Sequence, residues 1–224
     1  MQPMNESTAI TPEDGVPYFN PRICVIGLGH TGIHHAMLFS EKYKTIGYDS
    51  DRARTDKLMR GHGSTSRVSD KLLKQAIRNG LSCTSDVEKI RKCNFYVIIV
   101  PPICVERNES DLRILWDASE IVGKVLSGGD IVVYDFCVGT TIMENDCISI
   151  IEQVSGLTCN FNFFAGYSPG PDNFEVKGFT SWGIGKFTSG STPEITRIVD
   201  EVYTSVFTVD TLNNKATETV IAKK

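Results

Sequence analysis

Arg22-Ile23-Cys24-Val25-Ile26-Gly27-Leu28-Gly29-His30-Thr31-Gly32 is the stretch whose reading decides the fold. Four apolar residues, Ile23 to Ile26, suit a buried strand, and they run directly into Gly27-x-Gly29-x-x-Gly32. A strand followed by glycines at that spacing is a dinucleotide-binding fingerprint, and each glycine has a separate task. Gly27 makes the tight turn out of the strand. Gly29 lacks a Cβ, so a pyrophosphate can approach the backbone at Leu28 to Thr31. Gly32 lets the following helix pack close to the sheet. That helix, expected over about 30–40, would point its free N–H groups and positive dipole end at the phosphates.

The next segment strengthens the reading. Tyr43 to Tyr48 carries strand formers and ends in Asp49, twenty residues beyond Gly29. An acid there accepts hydrogen bonds from the adenosine ribose hydroxyls and repels a 2′-phosphate, which favours NAD over NADP. Arg52 and Arg54, just beyond, weaken that exclusion.

The 224 residues are 41% hydrophobic and 22% charged, with a net charge of −4, so no basic surplus points to nucleic acid. The seven cysteines form no CxxC pair and no zinc-spaced cluster, and an odd number argues against a fully paired disulfide framework. Free cysteines in apolar strands suit a reducing, cytoplasmic setting. Residues 1–20 are polar with three prolines and read as a flexible arm, not a signal peptide. No apolar run approaches the ~18 residues that a membrane-spanning helix needs.

Further along, strands and helices alternate. A helix is expected to begin in Asp51–Arg60, and a loop around His62 follows, with that histidine read as solvated. A helix over 69–77 stops at Asn79-Gly80. Leu81 to Thr84 reads as a strand, and Ser85 with Glu88 as a capping box opening a helix to about Arg91. Phe95 to Val100 is the most hydrophobic run and reads as a central strand buried on both faces, ended by Pro101-Pro102. A helix over 111–126, a strand at Ile131–Tyr134, a helix over 140–154 and a strand at Phe161–Ala165 follow. A glycine-rich loop, 166–190, leads to a helix capped by Ser191 or Thr192 and reaching about Tyr203, then a short strand at Val206–Val209. The alternation predicts an α/β, Rossmann-type, doubly wound parallel sheet in three layers. Ligands then gather at the carboxyl ends of strands, after Ile26, Tyr48, Val100, Tyr134 and Ala165. The expected organisation is an arm at 1–20, a nucleotide-binding domain at 21–210 and the start of a truncated helix at 211–224.

Those strand ends carry a recognisable series. Ile23-Cys-Val-Ile-Gly-Leu-Gly29, Lys42-Tyr-Lys-Thr-Ile-Gly-Tyr-Asp49 and Cys83-Thr-Ser-Asp86 belong to it. So do Phe95-Tyr-Val-Ile-Ile-Val-Pro101, Asp111-Leu112, Gly128-Gly-Asp-Ile-Val-Val-Tyr134, Phe163-Phe-Ala-Gly-Tyr-Ser-Pro169 and Thr188-Ser-Gly-Ser-Thr-Pro-Glu194. Over about 21–210 the chain resembles the amino-terminal domain of the UDP-glucose/GDP-mannose dehydrogenase family, in particular members acting on UDP-N-acetylhexosamines. The resemblance implies NAD as cofactor and oxidation of a sugar C6 alcohol to a carboxylate in two hydride transfers. It implies cofactor contacts from Gly27, Leu28, Gly29, His30, Thr31, Gly32, Asp49, Arg54, Val100 and Pro101.

The same comparison implies altered chemistry. Pro102 stands where a hydroxyl residue is usual. Cys137 replaces a threonine that helps position a catalytic water, and Gly170 stands where the catalytic glutamate belongs, with only Asp172 and Glu175 nearby. Cys137 has no sequence-adjacent histidine to activate it and reads as a small replacement for threonine, not a nucleophile. By the resemblance, the family's catalytic Lys, Asn and Cys and its UDP-binding domain fall at or beyond Lys224. The expectations are therefore NAD binding with impaired turnover by the chain alone, a UDP-sugar bound only with a complementing subunit, and a homodimer contact through 211–224. The alternative expectation is a non-catalytic NAD-binding pseudoenzyme or partner subunit.

Overall fold

A computed structural model describes residues 19–63, 68–100, 109–135, 146–168 and 188–207. Seven strands form one sheet: β1 Arg22–Ile26, β2 Lys44–Tyr48, β3 Ser82–Thr84, β4 Phe95–Ile98, β5 Ile131–Asp135, β6 Phe164–Ser168 and β7 Ser189–Gly190. Their order is β3-β2-β1-β4-β5-β6-β7, with β7 antiparallel to β6 and every other pair parallel. The order reverses between β1 and β4. That switch point opens a crevice at the carboxyl ends of these two strands, beside the glycine turn.

The pleat sorts the strands' side chains into two cores. Ile23, Val25, Phe95, Val97, Ile131 and Val133 pack on one face. They meet α1 His30–Ser40, α2 Arg52–Met59, α3 Asp70–Arg78 and α6 Pro193–Val206 through Ile33, Phe39, Leu58, Leu73 and Val199. Cys24, Ile26, Tyr96, Ile98, Val132 and Tyr134 pack on the other face against α4 Glu109–Gly123 and α5 Ile148–Ser155 through Leu115, Val122 and Ile151. β4 lies at the centre and is buried along its whole length, as its unbroken apolar run predicts.

Local chemistry explains the helix ends. The Asp51 carboxylate accepts from the Arg54 N–H, and the Ser69 hydroxyl from the Leu72 N–H, each capping its helix. Thr192 accepts from the Ile195 N–H, with Pro193 in the first turn. Four sequence expectations are corrected. Asp86, not Ser85, caps the next segment, and it is a single 3₁₀ turn, Val87–Ile90. The Asp86 side chain reaches the Glu88 N–H two residues on, which favours a tight turn over a capping box. β6 begins at Phe164, because Phe161 to Phe163 turn around the Thr158 carbonyl and leave Phe161 exposed. Val206 ends α6 instead of starting a strand, since that helix buries Val202 and Tyr203 on its apolar face and stops at Phe207. The glycine-rich loop contributes the antiparallel strand β7, whose two residues carry no periodicity to reveal it. Most of the arm (1–18), the whole of 211–224 and the other end of that strand (208–209) lie outside the described residues. No described helix is long and apolar enough to cross a membrane.

Asp130 leads into β5 at the end of the sheet opposite the crevice. It is 5% exposed, its Oδ2 accepts from the Ser127 N–H at 2.8 Å, and burial pushes its carboxyl up to about 7. Between pH 4 and 7 the folded chain therefore holds a proton that the unfolded chain has released. Stability falls as pH rises through that window, and the full penalty stands above it. Asp130→Asn keeps an oxygen for Ser127 and removes the charge. It is expected to raise the unfolding free energy at pH 8 by about 2 kcal/mol and to change it little at pH 4, as read by chemical denaturation at the two pH values.

Candidate functional site

The three glycines of the turn are required for different reasons. Gly27 has φ +93°, and a Cβ there would collide with the Ile99 carbonyl oxygen of the segment leaving β4. Its N–H donates to the Tyr48 carbonyl at 2.8 Å, tying the turn to β2. A Cβ on Gly32 would overlap the Gly27 carbonyl oxygen, so this glycine sets how closely α1 sits on the strand. Gly29 differs. Its φ is −65°, and a Cβ there would meet no atom of the described residues within 4 Å. Nothing among the described residues demands glycine at 29; what its bare backbone preserves among them is open space.

That space lies over the start of α1. Gly29 is the residue before the first helical position, and no side chain caps the helix. No acid occupies its first turn either. The N-terminal N–H groups and the positive end of the helix dipole face the space opened at Gly29, an arrangement suited to a phosphate. His30 and Thr31 are half-buried in this first turn, and Leu28 is buried beneath it. Val100, also buried, follows β4 beside the turn. Pro101 lies outside the described residues.

Asp49 directly follows β2 and is 7% exposed. Its Oδ2 accepts from the buried Leu28 N–H at 2.9 Å and from Arg54 Nη1 at 2.9 Å, and its Oδ1 accepts from the Asp51 N–H at 3.0 Å. The carboxylate thus ties the middle of the glycine turn to the start of α2. A carboxylate has about four acceptor positions, so capacity remains on Oδ1 for a diol at the crevice edge. The internal bond to Leu28 was not visible in the sequence, where Asp49 had only an external partner. Arg54 is about 39% exposed along its side chain and also lies 3.9 Å from Asp51. It stands beside Asp49 at the outer rim.

At the carboxyl end of β5, Asp135 is fully buried and accepts from the Tyr203 hydroxyl at 3.0 Å. His35 of α1 lies 3.6 Å from the same oxygen. The sequence marks the position after Tyr134 as a strand end where ligands gather, but no spacing in it pairs Asp135 with His35 or Tyr203. Cys137, Gly170, Asp172 and Glu175 lie outside the described residues. Burial pushes the Cys83 thiol up to about 12 and Cys147 to about 11, so neither is a thiolate at neutral pH. His62 sits on the surface and pairs with Asp70 at 3.1 Å, as a solvated loop histidine does.

An open, uncapped helix start beside a β2 carboxylate at the switch point of a doubly wound sheet defines a dinucleotide-binding domain. A sequence profile described as "UDP-glucose/GDP-mannose dehydrogenase family, NAD binding domain" matches residues 21–172. The chain belongs to the UDP-glucose/GDP-mannose dehydrogenase family, and its cofactor is NAD. It is 39% identical over 202 residues to UDP-N-acetyl-D-glucosamine 6-dehydrogenase of Pseudomonas aeruginosa, covering 90% of this chain and 47% of that protein. It is 39% identical over 189 residues to Protein CapL of Staphylococcus aureus, covering 84% of this chain and 44% of that one. The chain therefore spans about half the length of the curated relatives it matches. Among solved structures it resembles a UDP-D-ManNAc dehydrogenase from Pyrococcus horikoshii, with a TM-score of 0.69 and 22% identity over 84% of this chain and 45% of that one. It also resembles a ternary complex of GDP-mannose dehydrogenase from Pseudomonas aeruginosa, with a TM-score of 0.69 and 21% identity over 83% and 44%. At those identities the structural matches speak for the fold alone.

The glycines make separable predictions. Gly29→Ala is expected to melt like the parent, because its Cβ has room and its φ is ordinary, yet to weaken NADH binding by at least about tenfold. Gly32→Ala is expected to destabilise the fold itself by several kcal/mol, since backbone must move to admit the Cβ. Thermal melts with and without NADH separate the two. Asp49→Ala strands the buried Leu28 N–H and is expected to cost about 1–3 kcal/mol of stability in the absence of any nucleotide, measured by urea denaturation.

Proposed function

We propose that this chain is the NAD-binding half of a nucleotide-sugar oxidoreductase. The family reaction, oxidation of the C6 alcohol of a UDP-sugar to a carboxylate, would then be completed only together with further polypeptide. The observation that carries the reading is the open space at Gly29, over the uncapped start of α1 and beside the Asp49 carboxylate. In this reading the amides from Leu28 to Gly32 hold the pyrophosphate, with His30 and Thr31 framing it. Asp49 accepts from the adenosine ribose, Arg54 flanks that ribose at the rim, and Val100 with Pro101 lines the path toward the nicotinamide. NAD supplies a hydride acceptor; the chain's own residues orient it and exclude a 2′-phosphate.

The proposed role for the chain alone is binding without turnover. Gly170 where the family's glutamate belongs and Cys137 in place of its threonine support this, since groups that act together in one mechanism are not lost singly at small cost. The same two substitutions favour a second reading, a non-catalytic NAD-binding partner subunit. The relatives' names support a nucleotide-sugar substrate, and a place in polysaccharide biosynthesis is part of the proposal. A cytoplasmic location, the division at 20/21 and 210/211, and a homodimer through 211–224 are part of the proposal.

NADH fluorescence titration followed by a turnover assay tests it. Saturable NADH binding, with no NADH formed from NAD and UDP-N-acetylhexosamines, is the expected pair of results. Steady NADH production by the isolated chain would overturn the impaired-turnover reading. No binding at millimolar NADH would overturn the whole assignment.

A further inference from the structure

Two histidines stand on the outer face of α1, and the amides that would hold a pyrophosphate do not use their rings. The helix turns Gly32, Ile33, His35, Ala36 and Phe39 inward, all of them buried. At about 100° per residue, the middle of the opposite face carries His30 and His34, both half-buried. The helix is regular from its first turn, where the Ile33 N–H donates to the Gly29 carbonyl at 3.1 Å. Residues four apart in such a helix lie one above the other, with Cβ atoms roughly 5–6 Å apart. Two imidazoles at that separation can reach one cation, since zinc takes each ring nitrogen at about 2.0–2.1 Å. Histidines four apart on one helix face are the spacing on which helical zinc sites are built.

The electrostatics agree with this pairing. Burial, then the charge of nearby His30, holds the His34 pKa down at about 4, so this side chain is neutral at physiological pH and senses its neighbour. His34 also makes other interactions. A histidine ligand ordinarily keeps a hydrogen bond through its second nitrogen, so a chelate asks for one nitrogen of each ring and no more. No acid stands in the first turn of α1, and no third histidine, cysteine or carboxylate among the described residues joins the pair. The cation's other positions therefore fall to water or to a ligand. Helical side chains lean toward the amino end, which carries both rings toward the open space at Gly29.

We propose that His30 and His34 chelate a divalent d-block cation of the zinc class, and that a phosphate oxygen of NAD(H) takes one of its open positions. Imidazole suits such cations, and the shared helix makes capture by the second ring an intramolecular step. Cation and nucleotide then strengthen each other's binding by the same factor. The coupling rests on the placement of the pyrophosphate at Leu28–Gly32; the cation site does not.

Calorimetric titration of the nucleotide-free protein with Zn²⁺ tests the site itself. One equivalent is expected to bind. His30→Gln and His34→Gln are each expected to weaken that binding at least about tenfold, because a single imidazole loses the chelate. His62→Gln, at the surface histidine paired with Asp70, is expected to bind zinc as the parent does. In ¹⁵N spectra of the histidine rings, zinc is expected to shift His30 and His34 together, and amide spectra show that each variant keeps its fold. No binding at about 1 mM zinc, or binding that survives both substitutions, would overturn the proposal. For the coupling, NADH affinity of the parent is expected to rise at least about threefold at saturating zinc, and zinc is expected to leave it unmoved in His34→Gln. A parent whose NADH affinity ignores zinc would overturn the coupling. Zinc held by the pair with no NADH binding at all would point instead to failure of the cofactor assignment.

Discussion

The bond from the Leu28 N–H to the Asp49 carboxylate is the constraint on which the site depends. It is buried, and it ties the glycine turn after β1 to the residue that follows β2, across the edge of the proposed cofactor crevice. Gly27 adds a second tie, its N–H to the Tyr48 carbonyl. With both in place the turn has its shape before any nucleotide arrives. Preorganisation of this kind spares the ligand the ordering cost that a mobile loop would impose.

Asp49 therefore has one duty in the structure, holding the turn, and in the proposed reading a second toward the nucleotide. Its inner lone pairs hold the turn; its remaining capacity faces the rim, where a ribose diol is expected. Arg54 sits on the same carboxylate and balances part of its charge. If the proposed ribose contact is made, the residue that supports the loop also meets the ligand, and a change at Asp49 alters stability and binding together. Gly29 offers the complementary case, a residue that no described part of the protein requires to be glycine.

Much of the fold was legible in the sequence because its signals are local. The apolar run of β4 predicted a strand buried on both faces, and Ser69, Thr192 and Pro193 marked helix starts. The glycine spacing with Asp49 located the crevice. What was not legible depends on distant pairing. Leu28 and Asp49 meet only once β1 and β2 align in register. His35, Asp135 and Tyr203 come from three elements and carry no shared period. The 3₁₀ turn after Asp86 and the late start of β6 were decided by single side-chain and carbonyl contacts too short in range for periodicity to report. At Cys137 and Gly170 the sequence supplies a comparison with the family, and the described residues supply no geometry.

The most direct test of the central claim is amide NMR of the chain during an NADH titration. The account predicts saturable shifts that are largest at Leu28, Gly29, Thr31, Gly32 and Asp49, with the rest of the sheet nearly unmoved. Saturable shifts centred elsewhere on the sheet, or no saturable shift at millimolar NADH, would contradict it.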